Sequence, residues 1–133
     1  MKKQEIDLAR AWLRKAENDL VSARQILLLC DGPTDTACFH AQQAMEKALK
    51  ALLTTYHVPF PKTHSLLRLL ELVLPFSPIL EEYREHLAEL SVYGVEFRYP
   101  GPLPDPDREE TLRLFKIAEE FLETVRYGIS EDA

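Results

Sequence analysis

The run from Ala37 to Tyr56 constrains the fold more than any other part of the chain, because at helical periodicity it sorts into three stripes. Ala37, Ala41, Ala44, Ala48 and Ala51 make a small-residue stripe where another backbone can approach closely. Cys38, Met45, Leu49, Leu52 and Tyr56 lie beside it as a larger apolar stripe, interrupted only by Gln42. A helix apolar over half its circumference belongs at the centre of a bundle. Its remaining face carries His40, Gln43, Lys47, Lys50 and Thr54, a polar and partly basic stripe whose imidazole, amide and ammonium groups suit a phosphate or an acidic partner.

The flanking segments supply the rest of such a bundle. Ile6, Ala9, Leu13, Ala16, Leu20, Ala23 and Leu27 step by threes and fours, which predicts a first helix from Glu5 to Leu29, with Trp12 and Asp19 on the flank of the seam. Asp31-Gly32-Pro33 ends it, with glycine free to take a left-handed cap and proline barring continuation. The second helix is expected from Thr34 to Tyr56, followed by an extended connection through Val58-Pro59-Phe60-Pro61. Thr63 is the expected cap of a short leucine-rich helix from Ser65 to Val73, stopped by Pro75. Ser77-Pro78 opens a fourth with Leu80, Tyr83, Leu87 and Leu90 on one stripe, unless the two merge into one kinked segment.

Gly94 to Pro106 is the one long irregular segment, and Asp105-Pro106 is expected to open the last helix. Its apolar face reads Leu112, Phe115, Ala118, Leu122 and Val125, and fraying is expected at Tyr127-Gly128. The fold class is therefore all-α, an up-and-down four-helix bundle with an additional short helix. One domain is expected over 1–128, with a frayed tail at 129–133.

Composition narrows the function classes. The 133 residues suffice to bury a core without disulfides or metal. A net charge of −6 argues against generic nucleic-acid binding, which would need a local basic patch working against the overall field. Cys30 and Cys38 form no disulfide framework, so reduced thiols in a cytoplasmic protein are expected. His40, His57, His64 and His86 include no pair at i, i+4, so no metal is expected. No signal peptide is seen, and no segment has the roughly 18 consecutive apolar residues of a membrane span.

Three places carry candidate binding chemistry. On the second helix, Lys47 and Lys50 form a cationic lining for phosphate or a solvated face, and His40 with Gln43 serves a ligand or a neighbouring helix. At Lys62-Thr63-His64 a helix start offers free N–H groups to an anion, or is simply capped by Thr63. Phe97-Arg98-Tyr99-Pro100 offers a guanidinium for phosphate and a tyrosine face for a base, or is a packed connector in which Arg98 pairs with Asp19 or Glu96. Asp19 itself reads as the structural partner of a buried cation. A carboxylate without a nucleophile or metal cluster defines no reaction, and no catalytic residue is assigned.

The chain resembles the HEPN domains, small helical proteins often encoded beside minimal nucleotidyltransferases in bacteria and archaea. The resemblance runs from about Ala11 to Tyr127. It rests on Trp12-x-x-x-Ala16-x-x-Asp19-Leu20-x-x-Ala23, Phe39-His40-Ala41-Gln42-Gln43-Ala44-x-Glu46-Lys47-x-Leu49-Lys50-Ala51, Lys62-Thr63-His64-x-Leu66 and Phe97-Arg98-Tyr99-Pro100 in that order. Many members are ribonucleases with an Arg-x4–6-His motif at a dimer interface. Here no histidine follows Arg98, and Arg84 meets His86 only two residues on, so the resemblance is to the branch lacking that motif.

For that branch it implies a non-catalytic homodimer that binds a nucleotide or substrate, without a cofactor, and docks a separately encoded nucleotidyltransferase. The candidate binding set is His40, Gln43, Lys47, Lys50, Lys62, His64, Arg98 and Tyr99. Two alternatives stand beside this one. The first is a ribonuclease toxin of a toxin–antitoxin pair, using His40 or His64 with Arg98. The second is a dimeric scaffold that binds only a protein partner.

Overall fold

Helix-forming residues fill the long apolar-periodic segments, and the structure, a computed structural model that describes residues 3–94 and 100–132, is correspondingly helical. Among the described residues five α-helices form: α1 (Lys3–Leu27), α2 (Thr34–Thr55), α3 (Leu66–Val73), α4 (Arg84–Ser91) and α5 (Arg108–Asp132). A 3-10 turn at Pro78–Tyr83 precedes α4, so α3 and α4 are separate helices. No strand occurs among the described residues.

The hairpin of α1 and α2 is the base of the bundle. α1 ends where the Arg108 guanidinium donates to the carbonyls of Leu27 and Leu29, satisfying groups the helix leaves open. Gly32 is needed in the turn, though not for a left-handed cap, since no described glycine has positive φ. A Cβ there would lie 2.2 Å from the Ile26 carbonyl oxygen, so it is close backbone approach that excludes a side chain.

α2 is central, as its stripes require: it packs against α1, α3, α4 and α5. Ala37, Ala41, Ala44, Ala48 and Ala51 are fully buried, as are Cys38, Met45, Leu49, Leu52 and Leu53. Burying each of the larger side chains contributes roughly 1.5–3 kcal/mol. The helix closes with a Schellman arrangement in which Val58 N–H donates to the Leu53 carbonyl and His57 N–H to the Thr54 carbonyl. His57 holds the left-handed position at φ 59°, where glycine is the usual occupant. Its ring pairs with Glu5, tying the end of α2 to the first turn of α1.

The later elements depart from expectation at their ends. Ser65, not Thr63, caps α3, its hydroxyl accepting from Arg68 N–H at 3.2 Å, while Thr63 accepts from Ser65 N–H at 3.1 Å. α5 starts at Arg108 because the Asp107 carboxylate accepts from Glu110 N–H at 2.7 Å, which leaves Asp105-Pro106 in the preceding loop. Leu114 and Phe121 are core residues of α5 that a reading centred on Leu112 misses, and Leu112 is exposed. α5 also continues past Gly128 to Asp132 rather than fraying, with Ile129 buried. Leu80, Leu87 and Leu90 are fully buried as their stripe predicts, and Tyr83 packs edge-on against Phe121.

Candidate functional site

The register of α2 places His40, Gln43, Lys47 and Lys50 on successive turns of one stripe. α1 contributes Asp19 opposite its upper half. The Asp19 carboxylate accepts from Lys47 Nζ at 2.5 Å and lies 2.8 Å from His40 Nδ1, so one acid holds two of the predicted groups. This is the cation-partner role its position beside Trp12 implies. The ring of His40 also meets Phe39 edge-on.

One turn further along, a second carboxylate organises the lower half. Glu46 is 2% exposed, and its oxygens lie 3.1 and 3.2 Å from His64 Nδ1 and 3.1 Å from Lys50 Nζ. Gln43 Nε2 donates to the Gln42 carbonyl oxygen at 2.7 Å and toward Glu46 at 3.5 Å. Gln42 is fully buried and donates in turn to the His64 backbone carbonyl at 3.4 Å. The ammonium of Lys50 sits over the rings of Trp12 and Phe60, 5.4 and 6.0 Å from their centroids. The helix and the chain entering α3 thus meet at one carboxylate, whose lysine partner lies against Phe60 of the extended 58–61 connection.

This geometry corrects the expectation of an open basic stripe. Lys50 and Gln43 are 8% and 9% exposed, so they face the interior rather than solvent. Gln43 bonds within its own helix, not to a neighbouring one. His40 and Lys47 are partly exposed, and His64 and Lys62 are exposed. The structure brings His40, Lys47 and Asp19 together, and separately Gln43, Lys50, His64 and Glu46. Arg98 and Tyr99 lie outside the described residues. Glu46 is the organising residue that the sequence reading did not select. Its signal was present, since it lies four residues before Lys50, the spacing of a helical ion pair.

Burial pushes the Cys38 thiol up to about 11, only partly offset by its contact with Thr111, so it stays protonated and is a poor nucleophile. Among the described residues, no three His, Cys, Asp or Glu side chains are grouped to hold a metal ion, and no helix is long and apolar enough to cross a membrane.

The fold and this α2-centred site define a small helical-bundle class, and comparison with known proteins identifies it. The profile of the HEPN domain matches residues 9–128. A Methanocaldococcus jannaschii protein named "Putative toxin MJ1304" is 27% identical over 141 residues, spanning 95% of this chain and 91% of its own length. The crystal structure of TT1696 from Thermus thermophilus superposes with a TM-score of 0.79 at 32% identity, covering 90% of this chain and 96% of that one. ST0689, an archaeal HEPN homologue, shares the fold with a TM-score of 0.70 at 23% identity over 97% of this chain and 99% of its own. The chain belongs to the HEPN domain family.

Proposed function

We propose that this HEPN domain is the binding and docking member of a two-protein system, taking the phosphate of a nucleotide or substrate at the α2 face and pairing with a nucleotidyltransferase. One observation carries the reading. His40, Lys47 and His64 are all accessible, and each is held from behind by Asp19 or Glu46. Polar groups fixed in this way before a ligand arrives lose little freedom on binding it. Lys62 stands two residues before His64 on the chain entering α3, and Arg98 and Tyr99 belong to the same proposed set. Homodimerisation and a cytoplasmic setting belong to the same proposal.

Calorimetric titration with ATP, GTP, AMP and GMP tests it, using wild type and a Lys47→Ala/Arg98→Ala variant. Saturable binding by wild type that the variant loses is the expected result. Wild type that binds none of the four removes the nucleotide role and leaves only docking.

The relative's name supports a second reading, a ribonuclease toxin. His64 is an exposed imidazole oriented by a buried carboxylate, the arrangement a general base uses. Against this reading stands the lack of any histidine after Arg98. Expression of a His64→Ala/Arg98→Ala variant tests it: growth inhibition equal to that of wild type eliminates the reading.

A further inference from the structure

We infer that the α2 face takes up its anion together with protons, His40 and His64 acting as the proton-carrying contacts and Asp19 and Glu46 as their positioning residues. This rests on the anion-binding reading above and specifies how that same site is regulated. Both rings present the same atom to a carboxylate: His40 Nδ1 lies 2.8 Å from Asp19, and His64 Nδ1 3.1 Å from Glu46. A carboxylate only accepts, so Nδ1 carries a hydrogen in the neutral and the charged ring alike. The one nitrogen left for a ligand is Nε2, which no described residue engages. In the neutral ring it presents a lone pair, which repels a phosphate oxygen. After protonation it donates to that oxygen.

The fixed charges around the rings do not supply the attraction on their own. Asp19, from α1, and Glu46, from α2, face the two imidazoles, and Lys47 and Lys50 share those same carboxylates. Two carboxylates and two ammonium groups cancel. Lys62 and Arg68, on the chain entering α3 and in its first turn, are exposed and screened by solvent. Each protonated histidine therefore adds one uncompensated positive charge to a cluster that, among the described residues, is otherwise near neutrality. Histidine is also the side chain whose charge changes within the physiological pH range. Binding strengthens as pH falls, because the bound state holds more protons than the free state.

The test is calorimetry with ATP, GTP, AMP and GMP at pH 6, 7 and 8, in buffers of differing ionisation enthalpy so that proton uptake is read directly. Wild type is compared with His64→Gln and His40→Asn, whose fold is checked by circular dichroism. The nucleotide's own proton is common to all three proteins, so the difference between them is the readout. Wild-type affinity is expected to fall at least about tenfold from pH 6 to pH 8, with fewer protons taken up by each variant than by wild type. Saturable binding with equal proton uptake in wild type and variants overturns the inference and leaves the anion-binding function standing. Absence of binding at every pH overturns both.

Discussion

At the α1–α2 face, charged side chains are tucked between helices, whereas along α3, the 3-10 turn, α4 and α5 they stand in solvent, and the two regions use different cations for a physical reason. On the outer surface arginine is the hub. Arg84 reaches Glu71 at 2.6 Å and Glu81 at 2.7 Å, and Arg113 contacts Glu110 at 2.7 Å and also Glu89. A guanidinium suits this because its planar fork engages two carboxylates and never loses its charge. At the inner face the hubs are carboxylates, each holding one lysine and one histidine. That inversion puts carboxylates, not cations, at the hubs where burial makes charge balance matter. The outer network stands in solvent, and the inner one is the proposed site.

The largest effect is expected from removing the buried hub. Glu46→Ala leaves the Lys50 ammonium enclosed by Trp12 and Phe60 without its counter-charge and releases His64. Breaking a buried pair from one side costs about 3 kcal/mol, read as a lowered urea midpoint with an unchanged slope. Glu46→Leu/Lys50→Met removes both charges and is expected to recover to within about 1 kcal/mol of wild type. Glu46→Ala costing no more than a surface substitution would erase the contrast between the two regions.

The same contrast explains what the sequence disclosed. Periodicity located α1, α2 and α3 to within a few residues, because apolar burial is repeated at every turn and a single misleading residue does not shift the pattern, whereas the fourth helix expected from Ser77-Pro78 begins only at Arg84, after a 3-10 turn over Pro78–Tyr83. Ends were less legible, since one side chain decides them. Asp107 rather than Asp105 caps α5, and Ser65 rather than Thr63 caps α3. His57 in a left-handed conformation has no local signal, because the contacts that accompany it, the Schellman bonds and the pairing with Glu5, come from the end of α2 and from α1. Of the site, the α2 groups were legible as types. Their division into accessible His40 and Lys47 and enclosed Gln43 and Lys50 was not. It depends on where α1 and the 58–64 segment pass over the helix, a tertiary fact that one helix's periodicity does not contain.

On the outer surface the expected effects are smaller. Arg113→Ala removes contacts to Glu110 and Glu89 whose partners are well exposed, and its cost at neutral pH is expected below about 1 kcal/mol, shrinking further in high salt. The pH dependence of that small difference is the sharpest check on the comparison. The hydrogen bond from Arg113 is the main reason the Glu89 carboxyl sits below the usual glutamate value of 4.5, with a smaller contribution from His86. A carboxyl depressed in the folded state favours folding above its unfolded pKa, and that contribution disappears as pH falls through the folded value. Wild type and Arg113→Ala should therefore differ at pH 7 and converge below pH 4.5, as followed by thermal melts across that range. A difference that persists undiminished at pH 3 would mean that Arg113 acts through packing of its aliphatic stem rather than its charge. The outer network would then resemble the inner one more than its exposure suggests.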